Sequence, residues 1–563
     1  MMVRQTVAFA ISAVVALFAV FPLTDTDIWW HLACAREWVT TWTPVREPVV
    51  NVHEYFQQTV AFVYNLGGAR LLVAFKAILW GLVYALFIWP SVRNPQRTMP
   101  QKMLCTCHPE NASERLTPDL QDNVMANPVG VKQSILLLAI FATILFIFRY
   151  QFEIRPVLFS LLFLGVYWNV LPWLLAGLGG ARNSRLKCHS GLRAGIAFRV
   201  FAAFAILVLQ FLWCKFQGLY ILGPIFALTV LAFECLNTRN FGLRISRKSL
   251  LWQLAFVVLL FAMPFFHREG LNLFLYPFGL LDRLLGLSPS AAVFASEIAE
   301  NRSPITLLMA GENVLQSALM IVLCVVGIVW AVYCLCLIFS ISRSRPIILA
   351  NAKIQNFPVD CTRALWLFVT AFLALVAERN FMLFLPVLFA VAFKCMDSLP
   401  RSAWPRMTAY SQLPTVCFLF PALLIAFLLG LWFRSVSNYD SMIAYQRVPV
   451  AAAEWMKSHP HSGRLFNDDR AGGYLAFVNP SDSTYIDGRF ILKTSEFFEN
   501  YLRYAEAPQV FLHDADAQNM DRVVLPLRYY ARWDKLLAAL DSAENWHVAY
   551  RDSLFVVMDR TER

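Results

Sequence analysis

The amino-acid sequence predicts an α-helical polytopic membrane bundle of about eleven spans, followed by a C-terminal extracytoplasmic α/β domain. Three observations carry that expectation. Hydrophobic residues make up 58% of the chain and charged ones only 15%, well below the roughly 25% charge of an ordinary soluble protein. The apolar residues gather in repeated runs of about 17 to 25, the length at which a helix crosses ~30 Å of hydrocarbon. The charge balance also changes along the chain: net charge is +11, yet residues 435–563 hold 14 Lys and Arg against 18 Asp and Glu. A basic excess confined to the membrane part is what the positive-inside rule produces, so it gives no support for a nucleic-acid partner.

Spans are expected near 6–23, 70–90, 132–148, 156–177, 196–213, 219–236, 250–266, 314–340, 363–378, 380–396 and 412–433. Runs such as 136–148 are apolar on nearly every face, which fits helices and not the alternation of barrel strands. The first run lacks a small-x-small cleavage site and is read as a retained span. The loops that share one side carry Arg93, Arg97 and Lys102, then Arg182, Arg185 and Lys187, Arg244 and Lys248, Arg345 and Lys353, and Arg401 with Arg406. That side is expected to be cytoplasmic, with the N-terminus inside and the tail outside. None of the twelve cysteines lies in the tail; a disulfide-free outer domain fits a bacterial envelope at least as well as a eukaryotic lumen, and the expected location is a bacterial inner (cytoplasmic) membrane. Cys105 and Cys107, with His108 adjacent, lack the second pair that a zinc site needs.

Residues 1–434 thus form the membrane domain, with outer loops expected at 24–68 and 267–313, and 435–563 form the soluble domain. Both loops carry aromatics at helical spacing, the pattern of segments lying along the membrane interface. In the tail, strand-like RLF, TYID, RVVLPL, WHVAYRD and SLFVVMD alternate with helix-like AAEWMKSH, SEFFENYLRYAEA and ARWDKLLAALDSA, with a turn expected at Gly472 and Gly473. That alternation reads as a small α/β layer domain. The glycine pair lacks GxGxxG spacing, which disfavours a dinucleotide.

The densest chemistry follows the first span, where Asp25, Asp27 and His31 flank Trp29 and Trp30. Ionisable groups this close to hydrocarbon are costly and usually face a cavity or a partner. The two carboxylates could converge on a hard divalent cation, Mg²⁺ or Mn²⁺, or one could act as a general base. On a helix, Asp27 and His31 share a face. The plainer alternative is that Asp25 or Asp27 caps that helix. Arg155 and Arg379 stand at span ends, where a guanidinium can hold a lipid phosphate or merely reach the headgroups. Glu153 and Glu378 lie close to them in sequence as ready partners, and Glu300 in the later loop could meet a cation held by Asp25 or Asp27. Asp487, Gly488 and Arg489 read as a turn with a local ion pair.

The segment DTDIWWHLACAREW resembles the first outer loop of a large group of bacterial membrane proteins in the GT-C glycosyltransferase superfamily. Further likenesses run along the chain: EIRPVLFS at Arg155, SEIAENRSP at Glu300, AERNFMLF at Arg379, and LFNDDRAGGYLAF and STYIDGRF in the tail. WCKFQGLYILG departs from the group's pattern, with Lys215 and Gln217 where Asn and His are common. The resemblance implies transfer of a sugar from a polyprenyl-phosphate-linked donor at the outer face. It implies Asp25, Asp27, His31 and Glu300 as catalytic candidates, and Arg155, Arg379, Trp29 and Trp30 as substrate-binding ones. The expected partners are the lipid-linked sugar donor and membrane lipids. The rival expectation is a non-catalytic polyprenyl-lipid binder, transporter or envelope-assembly scaffold. Absence of a clear internal repeat disfavours transport.

Overall fold

The structure, a computed structural model, describes residues 2–38, 41–46, 49–92, 128–178, 189–240, 246–285, 288–343, 361–398 and 416–561. The loops carrying Arg93 to Lys102, Arg182 to Lys187, Arg345 to Lys353 and Arg401 to Arg406 lie outside the described residues, as do Cys105 and Cys107.

Each expected span falls on a helix: α1 (Met2–Phe18), α3 (Glu54–Val92), α4 (Pro128–Ile147), α5 (Pro156–Leu178), α6 (His189–Phe216), α7 (Leu222–Asn240) and α8 (Arg247–Ala262) in the first half. The short helix α2 (Asp27–Arg36) lies between α1 and α3. After a segment of α9 (Gly270–Leu285), α10 (Pro289–Glu297) and α11 (Pro304–Met309) come α12 (Val314–Arg343), α13 (Cys361–Val376), α14 (Phe381–Ser398) and α15 (Val416–Val436). Among the described residues, seven helices are long and apolar enough to cross a membrane, and three shorter apolar helices accompany them. The chain is a multi-pass membrane protein.

Two boundaries differ from expectation. Helix α1 stops at Phe18, because the backbone that follows turns and Leu23 bridges Ile443 of the tail. The loop expected to reach Gly68 instead becomes helix at Glu54, and α3 kinks at Gly67 and Gly68. Gly68 has φ 64°, a conformation that glycine alone adopts without strain.

The bundle is tied together at one end by a buried polar chain. Lys76 on α3 donates to the Phe21 carbonyl at 3.1 Å and pairs with Glu153 at 3.8 Å. The Thr24 hydroxyl donates to Glu153, and the Trp80 indole donates to its carbonyl at 3.0 Å. The segment before α2 and the segment before α5 are therefore held side by side. Glu153 serves Lys76 rather than the sequence-adjacent Arg155.

The tail sits on this same end. Its four strands β1 (Arg464–Asn467), β2 (Met520–Pro526), β3 (Trp546–Arg551) and β4 (Phe555–Arg560) run in the order β1-β2-β4-β3, with the first pair parallel and the others antiparallel. Helices α16 (Val450–Lys457), α17 (Asp469–Val478), α18 (Ser495–Glu506), α19 (Pro508–Ala517) and α20 (Asp534–Asp541) cover it. TYID is not a strand. The Asn467 side chain accepts from the Tyr485 amide at 2.8 Å and donates to the Ile486 carbonyl at 2.7 Å, bonds that a neighbouring strand would otherwise make. Nor do Gly472 and Gly473 form a turn, for they lie inside α17. They let that helix approach closely, since a Cβ on Gly472 would meet the Ile486 carbonyl and one on Gly473 would stand 3.0 Å from the Trp30 amide.

Apolar packing is continuous between bundle and tail. Leu475, Ala471 and Val524 belong to the same buried core as Trp29 and Leu32, while Phe294 of α10 stacks on Phe498 inside the second core. Trp42 of the first outer segment donates to the Leu465 carbonyl at 2.9 Å.

Candidate functional site

Arg155 is the centre of the site. It immediately precedes Pro156, whose fixed φ suits the first turn of α5, and its guanidinium lies between two acidic segments. Its Nε donates to Asp25 Oδ2 at 2.7 Å, while Nη1 and Nη2 donate to the two Glu300 oxygens at 2.6 Å each. Planar bidentate pairing of this kind is strong and directional. Glu300 is presented by a tight turn after α10, fastened where Asn301 donates to the Phe294 carbonyl at 2.9 Å. Burial opposes the charge on both partners. Nevertheless Asp25 and Glu300 hold the Arg155 pKa well above its ordinary value, and Arg155 holds Glu300 below the usual glutamate range.

Asp27 opens α2, and its amide points to Asp25 Oδ1 at 3.3 Å. Thr26, at the cap position, makes no side-chain cap bond. Asp25 thus does some capping, but its other oxygen serves Arg155. Burial, then the charge of Asp25, pushes the Asp27 carboxyl well above the usual aspartate range, with Arg155 opposing. A buried acid with a raised pKa is also a stronger base once ionised.

The sign of that shift predicts a stability effect. A raised acid favours the fold while protonated, and this contribution is lost as pH rises through the folded pKa. Asp27→Asn is therefore expected to raise the thermal midpoint at alkaline pH and leave it nearly unchanged at acidic pH. Thermal unfolding of the detergent-solubilised protein across that range checks it. A lower midpoint for the variant at alkaline pH would remove this account of Asp27.

The other residues of α2 divide between packing and chemistry. Trp29 is fully buried against Tyr64, Tyr474 and Phe477, so its ring holds α2 to α3 and α17 and offers no face to a ligand. Trp30 stacks on His31, whose ring meets His53 edge-on at 5.3 Å. Burial, then the neighbouring His53, drives His31 well below its ordinary pKa, and burial lowers His53 to about 4. Both shifts favour the neutral imidazole, and among the described residues His31 Nδ1 has no hydrogen-bond partner.

Two further guanidiniums face the cluster. Arg379, in the turn between α13 and α14, and Arg447 of the tail both act on Glu300 electrostatically. Neither makes an ion pair with a carboxylate among the described residues. Burial lowers both pKa values, as expected for cations without a close counter-ion. The amide of Glu378 donates to the Arg302 carbonyl at 3.0 Å.

The tail closes over Asp27. The volume that a Cβ on Gly488 would need is taken by the Asp27 carboxylate. On either side of that glycine, Asp487 and Arg489 form a buried pair, with Nη2 to Oδ2 at 2.5 Å. The Arg489 guanidinium lies 5.5 Å from the Trp30 ring and 5.3 Å from Trp38. The Asp-Gly-Arg turn is thus both a local ion pair and a neighbour of the first outer loop. Lys215, at the departure from the family pattern, pairs with Glu54 at 3.1 Å and with Glu269, linking α6 to the starts of α3 and α9.

The arrangement brings Asp25, Asp27, Glu300 and Arg155 together, with Arg379 and Arg447 within electrostatic reach. It does not fit a divalent cation shared by Asp25 and Glu300, because the guanidinium already stands between them. No local pattern pointed to Arg447 or His53. For Lys76 a signal existed, a lone lysine inside an apolar run.

The fold and site define a polytopic helical membrane protein with a polar, charge-dense centre beneath a small α/β domain. No protein-family model matches the chain, and no curated protein matches it. Solved structures to which it is similar include the archaeal oligosaccharyltransferase AglB from Archaeoglobus fulgidus in complex with an inhibitory peptide and a dolichol-phosphate. That likeness has 12% identity and a TM-score of 0.48, over 98% of this chain and 74% of that one. ArnT from Cupriavidus metallidurans, bound to undecaprenyl phosphate, matches at 13% identity and TM-score 0.46, over 99% of this chain and 97% of that one.

Proposed function

We propose that the chain is a membrane glycosyltransferase that moves a sugar from a polyprenyl-phosphate-linked donor to a hydroxyl acceptor at the outer face of a bacterial inner membrane. The observation that carries this reading is the meeting of Asp25, Asp27 and Glu300 around Arg155 at one end of the bundle, with Arg379 and Arg447, which make no carboxylate ion pair among the described residues, acting on Glu300. Motif resemblance in the same segments supports it. In this reading the acceptor oxygen bonds to the anomeric carbon and its proton passes to Asp27. The bond from that carbon to the phosphate oxygen breaks with its electron pair, and polyprenyl phosphate leaves as an anion. Arg379 and Arg447 stabilise the charge that builds there. Arg155, whose donors are engaged, orients Asp25 and Glu300 instead of holding phosphate. His31 is a neutral neighbour able to relay a proton.

The test uses membranes containing the full chain and a panel of polyprenyl phosphates carrying labelled sugars. Label should leave the lipid fraction with wild type and stay there with Asp27→Asn. Equal retention by both, with lipid still bound, would favour the non-catalytic binder. Arg379→Gln removes charge-assisted hydrogen bonds of about 1.5–3 kcal/mol, so polyprenyl-phosphate affinity is expected to fall roughly 10- to 150-fold. An unchanged binding isotherm would take Arg379 out of the phosphate site.

A further inference from the structure

We propose that this site is organised around a protein cation in place of a metal ion, with the Arg155 guanidinium occupying the position that a divalent cation would take between Asp25 and Glu300. The inference rests on reading this site as the transfer centre.

Three features of the site support it. First, the acidic oxygens are already used: Asp25 Oδ2 and both Glu300 oxygens accept from Arg155 at 2.6–2.7 Å. A guanidinium cannot surrender its proton to make room for a cation, and two positive centres cannot share three oxygens at contact distance. Second, the remaining acid is engaged elsewhere, because the Asp27 carboxylate lies against Gly488 of the tail, in the volume that a Cβ there would need. Among the described residues no group of three or more His, Cys, Asp or Glu side chains is placed to hold an ion. Third, Arg155 is anchored. Two residues before it, Glu153 pairs with Lys76, takes the Thr24 hydroxyl and accepts from Trp80. Pro156 follows it and opens α5. The backbone that carries the guanidinium is therefore held on one side by the buried Glu153 and on the other by the start of α5.

Removing the guanidinium should then create what it replaces, a space between the Asp25 and Glu300 carboxylates, whose oxygens suit a hard cation. The experiment is titration of Mn²⁺ into the full chain in lipid nanodiscs, read by electron paramagnetic resonance with no sugar donor present. Wild type is expected to bind no Mn²⁺ at this site, Arg155→Ala to gain one bound ion per chain, and the added Glu300→Gln to remove it. A wild-type site abolished by Asp25→Asn would overturn the proposal, and so would a folded Arg155→Ala protein that gains nothing. If Arg155→Ala does not fold, the wild-type titration decides alone. Failure of sugar transfer would leave these binding results untouched, so the two readings fall separately.

Discussion

Asp27→Asn is expected to fold, to keep its affinity for polyprenyl phosphate, and to lose about 10²- to 10⁴-fold in kcat, the usual contribution of a positioned general base. The amide preserves shape and the packing under Gly488, and it removes an acid whose ionised form is disfavoured by burial. Structure and lipid binding should therefore survive while the proton acceptor is lost. Asp25→Asn should behave differently. It weakens a pair in which the Asp25 side chain is only 5% exposed, and a carboxylate-to-amide change there leaves Arg155 with Glu300 alone. Loss of turnover should then come with a lower thermal midpoint, since a hydrogen bond to a charged group contributes about 1.5–3 kcal/mol. Single-turnover transfer and thermal unfolding, measured on both variants, separate the two roles. Full turnover in Asp27→Asn would end the assignment of Asp27 as base.

Gly488→Ala carries the second large expectation, a loss on the order of 10²-fold in turnover, because displacing a reacting group by an ångström costs that much. The added methyl would land on the Asp27 carboxylate. Neither side can yield easily. Gly488 is flanked by the buried Asp487–Arg489 pair, and α2 is fixed by Trp29 among Tyr64, Tyr474 and Phe477. Gly430→Ala is the control, since a Cβ there meets nothing within 4 Å. If Gly488→Ala matched Gly430→Ala in turnover, the tail would not set the position of Asp27.

The spans were legible in sequence because a membrane span imposes length and composition on nearly every residue in it, and no distant contact is needed to decide them. The strands of the tail were legible where their hydrogen bonds come from neighbouring strands. TYID misled because its ladder partners are replaced by one buried side chain, Asn467, which no local pattern announces. Gly472 and Gly473 misled for a related reason: their small size serves helix packing against Trp30 and Ile486, not a turn. In the site, the residue types were readable but their pairings were not. Arg155 has Glu153 two positions away, yet it reaches Asp25 and Glu300, while Glu153 answers Lys76. These choices are set by how segments far apart in sequence meet at one end of the bundle. Arg447 was invisible for the same reason, being an ordinary arginine until the tail brings it to Glu300.

The union of α2 with α17 and the 488 turn has a consequence for biogenesis. Asp25 and Asp27 are synthesised directly after α1, while the 488 turn that covers Asp27 follows only after all the spans. At ~5–20 residues per second, the interval between them is roughly half a minute or more of translation. Throughout that interval the acidic segment lacks its cover, and Asp27 is neither desolvated nor positioned. If Asp27 is the base of the proposed transfer, chains truncated before the tail should therefore insert into membranes without transfer activity.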